Sequence, residues 1–166
     1  MDDFPHEMVR KIQRNSIFQS LYRYGMKKSR DIMNYSTETV YKGKGRCFTT
    51  HKATGVSFTT DLDASHGGLA ENPSPGEMLA ATLASCMMSM VSFIAGRKEI
   101  DVTGMKIEAS PVAENGKITQ IVLKAMMPLP ADHPARKSLE ASALTCPVHG
   151  ALRADIETPI EWHWVG

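Results

Sequence analysis

Residues 77–93 read EMLAATLASCMMSMVSF and decide how the rest of the chain is organised. No side chain from 78 to 96 is charged, and a helix of that length could cross a bilayer. Its composition argues against a membrane span, because Ala, Ser, Thr and Met outnumber Leu, Ile and Phe. A helix that is apolar all round must instead be covered on every face, and one sheet covers only one side. The sequence therefore predicts a central helix whose other side packs on a partner subunit in an extensive homodimer.

Sequence signals for the start and for the end of a helix flank this uncharged run. Ser74, Pro75 and Glu77 stand at the N-cap, N1 and N3 positions of a capping box. Gly96 suits the opposite end, where a residue without a Cβ often terminates a helix. The spacing predicts one helix from near Pro75 to about Ala95.

Strand patterns precede and follow the helix. Residues 39–50 and 55–61 are rich in Thr, Val and aromatic residues and flank HKATG, which predicts a hairpin. Asn115-Gly116 joins two further strands with the strongest short hairpin signal. Helical patterns at 135–144 and 145–155 follow, and Pro159 places the final strand at an edge or a bulge. The order β-β-α-β-β-α-α-β predicts an α+β domain rather than a doubly wound parallel sheet.

Composition limits the function classes. The chain has 166 residues, 42% of them hydrophobic, and a formal charge of +1, which fits one soluble domain and gives no reason to expect nucleic-acid binding. The first residues resemble neither a secretory signal nor a transit peptide, so we expect a cytoplasmic protein with no transmembrane segment.

The N-terminal 38 residues are set apart by their charge. Residues 8–30 hold seven Lys or Arg and no Asp or Glu, with apolar residues at roughly helical spacing. This predicts a basic helical extension over residues 1–38 that packs on the domain or on a partner subunit. Binding to a membrane surface or to RNA is the less favoured alternative.

Three cysteines are too few for the disulfide framework of a secreted domain, so their surroundings must decide their roles. Cys146 precedes Pro147 at a predicted helix start, where free N–H groups favour a thiolate. Cys86 is either a small buried hydrophobe or a reactive thiol, and the pattern alone leaves both open. It shares a helix face with mostly apolar residues, namely Leu79, Thr82, Leu83, Met90 and Phe93.

Taken together, GRCFTTHKATGVSFTTD, SPGEMLAATLASCMMSM and TCPVHGAL resemble in order and spacing the osmotically induced protein C / organic hydroperoxide resistance (OsmC/Ohr) family. The resemblance covers residues 39–166. It implies an α+β OsmC-like fold in which antiparallel sheets pack on a long central Cys-bearing helix. It also implies an intertwined homodimer with two active sites at the subunit interface.

The resemblance further implies a peroxidase that reduces organic hydroperoxides, alkyl or fatty-acyl, in oxidative stress defence. By position Cys86 matches the family's peroxidatic cysteine, Cys146 its resolving cysteine, and Arg46 the arginine that holds the thiolate. Oxidation would produce a Cys86–Cys146 disulfide. No bound cofactor is implied, and an external dithiol protein of dihydrolipoyl type would be the reductant. We expect the small hydrophobic substrate to contact the apolar side chains of Leu79, Leu83, Met90 and Phe93.

The sequence departs from the hydroperoxide-resistance branch at its catalytic acid. The family glutamate lies ten residues before the peroxidatic cysteine, where this chain has Gly76, while Glu77 lies nine before it. Glu77 either replaces that acid or only completes the capping box. Arg97 and Arg153 are less favoured alternatives to Arg46.

Two other functions compete with the peroxidase. Cys47 with His51 and Cys146 with His149 could supply four zinc ligands, but a pair four residues apart on a strand chelates poorly, so we expect no metal. The other is a non-enzymatic OsmC-like protein that binds a lipid or acyl ligand in the same apolar groove. Two features favour that alternative: the glutamate lies nine rather than ten residues before Cys86, and the chain carries an N-terminal extension.

Overall fold

The computed structural model describes residues 35–166, of which Ser36–Gly166 form one compact unit. The basic helical pattern at residues 8–30, in the predicted extension 1–38, lies outside the described residues. Six strands and three helices are described: β1 Thr37–Gly43, β2 Arg46–His51, β3 Ser57–Asp61, α1 Pro75–Gly96, β4 Lys106–Glu114, β5 Lys117–Met127, α2 Arg136–Ala143, α3 Pro147–Ala151 and β6 Ile160–Trp164. A short 3₁₀ turn, Ala64–His66, interrupts the loop before α1.

The strands form two sheets. The front sheet has the order β1-β2-β3 and is antiparallel throughout. The back sheet has the order β4-β5-β6, with β4 and β5 antiparallel and β6 added parallel to β5. The last strand therefore lies at an edge, as Pro159 predicted, and the α+β prediction is confirmed.

The first predicted hairpin contains one more strand than expected. Residues 39–50 do not form a single strand, because Lys44 and Gly45 adopt positive φ angles of 51° and 73° and turn β1 back onto β2. A side chain at Gly45 would overlap Leu62, so the tight turn and the packing both require glycine there. The turn at Asn115-Gly116, with φ angles of 51° and 74°, confirms the second hairpin.

Helix α1 organises the core. Leu83, Met87 and Val91 on one side are fully buried, and the helix packs against β4, α2 and α3. On the opposite side Ser85 and Ser92 are exposed. Within the described part of the chain the helix is thus covered on one side only, and its cover by a partner subunit stays a prediction. The helix is long and apolar enough to cross a membrane by length and composition, with a mean hydropathy of 1.8, but it packs here as a domain's core helix.

The predicted capping box is present at the start of α1. The Ser74 hydroxyl accepts a hydrogen bond from the Glu77 backbone N–H at 3.2 Å, and Glu77 Oε2 accepts one from the Ser74 N–H at 2.6 Å. These bonds satisfy two of the donors that every helix N-terminus leaves free. The cap therefore fixes where the central helix begins.

Replacing Ser74 with alanine should lower the free energy of unfolding by about 1 kcal/mol, because the N-cap acceptor is lost. The measurement is urea unfolding followed by circular dichroism. Ser65→Ala is the control, since the exposed Ser65 hydroxyl bonds only the neighbouring His66 ring. Equal, small shifts for both variants would contradict the capping role.

Candidate active site

Two cysteines far apart in the sequence meet in the structure. Cys86 on α1 and Cys146 just before α3 are 60 positions apart in the sequence and are joined as a disulfide, with their Cα atoms 5.8 Å apart. They meet because α1 packs directly against α2 and α3, the helices on either side of Cys146. The structure therefore brings together the two cysteines that the sequence singled out.

The two sulfurs lie in different surroundings. Cys146 is only 2% exposed and belongs to the hydrophobic core, whereas Cys86 is partly exposed. Helical spacing explains this, since Cys86 follows the exposed Thr82 by one turn and also neighbours the buried Leu83 and Met90. Cys86 thus lies at the margin between the open and the buried sides of α1.

Local structure around Cys146 supports a thiolate there. The chain turns after α2 through hydrogen bonds from Thr145 N to Ser142 O and from Cys146 N to Ala143 O. Pro147 then begins α3, as predicted, and Cys146 takes the N-cap position. Its Sγ accepts a hydrogen bond from the His149 backbone N–H at 3.4 Å. A donor aimed at sulfur stabilises the charged form in an otherwise apolar site.

Arg46, at the start of β2, is held by two carboxylates. Its Nε and Nη2 donate to the two oxygens of Asp61 at 2.7 and 2.8 Å, a bidentate pair between neighbouring strands. Nη2 also donates to Glu71 at 2.6 Å. These two acids raise the pKa of Arg46 above its usual value, so the group stays cationic at every relevant pH.

Asp61 is the buried partner of this cluster. Its side chain is fully buried, and Oδ2 also accepts hydrogen bonds from the backbone N–H groups of Glu71 and Asn72 and from Asn72 Nδ2. The Arg46 hydrogen bonds are the main reason that the pKa of Asp61 lies well below its usual value, and burial only partly opposes them. The carboxylate therefore fixes the guanidinium against the loop that leads into α1.

No hydrogen bond joins Arg46 to Cys86 within residues 35–166. The guanidinium is fixed beside residues 71 and 72, while Cys86 lies about 17 Å along the axis from Pro75 at the rise of a regular helix. Arg46 Nη1 has no acceptor among these residues and the side chain is 27% exposed. Among the described residues the constrained cation is thus hydrogen-bonded to Asp61 and Glu71 and not to the Cys86 thiol.

The other predicted residues take separate places. Glu77 completes the capping box, and the Ser74 hydrogen bonds lower the pKa of its carboxyl. Leu83 and Met90 belong to the core, and Leu79 packs against it. Phe93 is 44% exposed on the same side of α1 as Cys86.

The proposed zinc ligands have other hydrogen-bond partners. His51 Nδ1 bonds the Thr54 hydroxyl, and His149 Nε2 bonds the Thr158 hydroxyl at 2.9 Å. Across residues 35–166 no three His, Cys, Asp or Glu side chains gather as a metal site would require. Cys47, on β2, is a free thiol.

Sequence reasoning missed the two acids that hold Arg46. Asp61 could have been found, because pairing β2 with β3 around the HKATG turn sets it opposite Arg46. Glu71 could not have been found in this way, since it reaches Arg46 from a loop whose sequence shows no strand or helix pattern. A Cβ at Gly68 in that loop would overlap the Leu62 carbonyl, so the loop's path depends on a glycine at that point.

A family model described as OsmC-like protein matches residues 66–161, more than half of the chain. The chain belongs to the OsmC-like protein family. The match includes both cysteines and all of α1 but begins after Arg46 and Asp61. No curated protein matches the sequence of this OsmC-like protein.

Solved structures share the fold over most of the chain. An osmotic stress induced and detoxification response protein from Psychrobacter arcticus 273-4 is 26% identical, with a TM-score of 0.75 over 81% of this chain and 100% of its own. An organic hydroperoxide resistance protein OsmC from Legionella pneumophila has 20% identity and a TM-score of 0.60, covering 80% and 99%. One from Elizabethkingia anophelis has 18% identity and a TM-score of 0.64, covering 82% and 100%. The predicted OsmC-like fold is thereby confirmed.

Asp61→Asn should lower the urea unfolding midpoint at pH 7 by roughly twice as much as Asp155→Asn or more, because Asp155 forms an exposed ion pair with Arg153. The lowered pKa of Asp61 means that its stabilisation is present above the unfolded value of about 4 and lost as pH falls below it. The difference between wild type and Asp61→Asn should therefore shrink between pH 4 and pH 2. A difference that is constant across this range would contradict the assigned cause.

Proposed function

We propose that this OsmC-like protein is a thiol-dependent peroxidase that reduces organic hydroperoxides in oxidative stress defence. The observation that carries the proposal is the meeting of Cys86 and Cys146, one partly exposed on the central helix and one buried beside it. A reactive thiol needs access to its substrate, and a nearby resolving thiol protects it from overoxidation. The Legionella and Elizabethkingia proteins of the same fold are named for organic hydroperoxide resistance.

The reaction would proceed in two steps at the cysteines. The Cys86 thiolate attacks the terminal peroxide oxygen, the O–O bond breaks, and protonation of the departing alkoxide gives an alcohol. Cys86 is left as a sulfenic acid. The Cys146 thiolate then attacks the Cys86 sulfur and displaces hydroxide, which leaves as water and gives the disulfide. An external dithiol, of the dihydrolipoyl type expected for the family, returns both cysteines to thiols.

The apolar side of the site favours organic over hydrogen peroxide. Phe93 and Leu79 lie on the Cys86 face of α1, about two turns away on either side, and can contact an alkyl or acyl chain, while Leu83 and Met90 belong to the core. Burying such a chain against these side chains contributes about 25 cal/mol per Å² of apolar surface. Hydrogen peroxide gains none of this energy.

Arg46 would act on the Cys86 of a second copy of the chain. A thiolate at the margin of an apolar helix needs a nearby cation, and within one chain Arg46 is bound to Asp61 and Glu71 instead. Its Nη1 is free of acceptors in the described residues and the side chain is partly exposed. The uncovered side of α1 and exposed apolar residues on the front sheet, Val40, Tyr41 and Phe58, support an intertwined homodimer that would bring the two groups together.

Cys86→Ser should lower kcat/KM for cumene hydroperoxide with a dihydrolipoamide-recycling system by about a thousandfold, since a hydroxyl cannot replace the thiolate. Cys146→Ser should complete one turnover and leave a sulfenic acid that dimedone traps. Cys47→Ser is the matched control and should keep wild-type activity. Equal rates for wild type and Cys86→Ser would remove the peroxidase and favour the lipid or acyl-binding alternative.

The same assay decides the role of Glu77. Glutamine can still close a capping box, so Glu77→Gln should keep the stability of α1 while removing the negative charge. A loss of activity without a loss of stability would assign Glu77 the role of the family's catalytic acid. Unchanged activity would leave it only the capping role.

Mixing inactive subunits tests the origin of the arginine. Arg46→Met and Cys86→Ser should each be nearly inactive alone, but refolded together in equal amounts they should recover about a quarter of wild-type activity. Half of the dimers then carry both variants, and each has one site with an intact Arg46 and an intact Cys86. No recovery, with mixed dimers verified by mass spectrometry, would mean that Arg46 acts within its own chain or not at all.

A further inference from the structure

We propose that the reducing thiol attacks Cys86 and not Cys146, so that Cys146 is always the leaving group when the disulfide is opened. The biological role of this step depends on the proposed peroxidase cycle. The choice of the attacked sulfur is argued separately, from the surroundings of the two cysteines. A disulfide offers two sulfurs to an incoming thiolate, and the choice between them decides which cysteine carries the mixed disulfide.

Steric access for an attacking thiolate favours Cys86 over Cys146. An attacking thiolate must approach along the S–S axis, from behind the sulfur that it attacks. Behind Cys146 lies the core, since this residue is 2% exposed and packed between α2 and α3. Cys86 is instead partly exposed at the margin of α1, beside the exposed Thr82 and Ser89. Attack on Cys146 would require α3 to move, whereas attack on Cys86 requires no rearrangement of the core.

The leaving group favours the same direction. Exchange is faster when the departing sulfur is stabilised as a thiolate. Cys146 Sγ already accepts the His149 backbone N–H at 3.4 Å, so a donor is in place before the bond breaks. No hydrogen bond to Cys86 Sγ is present within residues 35–166. The negative charge would therefore develop on Cys146 Sγ, which the His149 backbone N–H already faces.

The electrons balance over two exchanges. The first thiolate forms a bond to Cys86 Sγ while the Cys86–Cys146 bond breaks, and its electron pair leaves on Cys146. The second thiolate of the same dithiol then attacks the reductant sulfur of the mixed disulfide and expels Cys86 as a thiolate. The reductant leaves as a cyclic disulfide, and two protons from the dithiol end on solvent or on the two cysteines. Peroxide and reductant would thus reach Cys86 in turn at the same margin of α1.

Trapping the mixed disulfide tests this assignment. Oxidised Cys47→Ser protein, which lacks the third thiol, is mixed with the monothiol 2-mercaptoethanol, quenched after short intervals with an excess of N-ethylmaleimide and then mapped by mass spectrometry. The expected product carries mercaptoethanol on Cys86 and the maleimide on Cys146, in at least about tenfold excess over the reverse pattern. An equal mixture, or mercaptoethanol mainly on Cys146, would overturn the proposal. The experiment needs no peroxide, so a protein without peroxidase activity could still give the expected map.

Two proline variants test the leaving-group argument. His149→Pro removes the N–H that bonds Cys146 Sγ, and Val148→Pro removes the preceding N–H, which has no sulfur partner. Both are made in a Thr158→Ala background, because His149→Pro would otherwise also remove the bond between the imidazole and the Thr158 hydroxyl. Proline is tolerated in the first helical turn. His149→Pro should slow opening of the disulfide by 2-mercaptoethanol by about tenfold relative to Val148→Pro. Equal rates in two folded variants would remove the role of this hydrogen bond.

Discussion

Contact between α1 and the segment that carries Cys146 is the constraint on which the site depends. The rotation of α1 about its own axis is set by the buried side chains of Leu83, Met87 and Val91. A shift of one residue would turn the helix by about 100° and carry Cys86 away from Cys146. Packing of the core and alignment of the two sulfurs are therefore the same structural requirement.

The two cysteines and Arg46 lie in different places in the fold. Under the proposed function, the thiolate that attacks a peroxide must be reachable, and Cys86 lies at the margin of the core with no hydrogen bond to its sulfur among residues 35–166. The resolving thiolate would need protection, and Cys146 is buried and has an N–H donor from His149. The positive charge proposed for Cys86 is that of Arg46 on the front sheet, which contributes little to the core of its own chain. If the proposal is right, one chain contains the parts of a peroxidase site without assembling all of them.

Sequence patterns were most informative where structure is decided locally. The capping box at Ser74 and Glu77, the Asn115-Gly116 turn and the Cys-Pro helix start each depend on a few adjacent residues, and all three are present as predicted. Patterns were least informative where contacts are distant. The extra turn at Gly45 depends on its contact with Leu62, so the strand count could not be read from composition. The role of Glu71 depends on the path of a loop.

Under the proposed function, one cation, Arg46, would serve both the fold and a thiolate. Asp61 is buried and binds Nε and Nη2, so this pair fixes the orientation of the guanidinium. Glu71 is 65% exposed and shares Nη2, so it can leave at little cost in burial. Nη1 points to neither acid among the described residues. A cation oriented in advance needs no reorganisation when an anion arrives. The buried acid would keep the arginine in place, and the exposed acid would yield to the incoming thiolate.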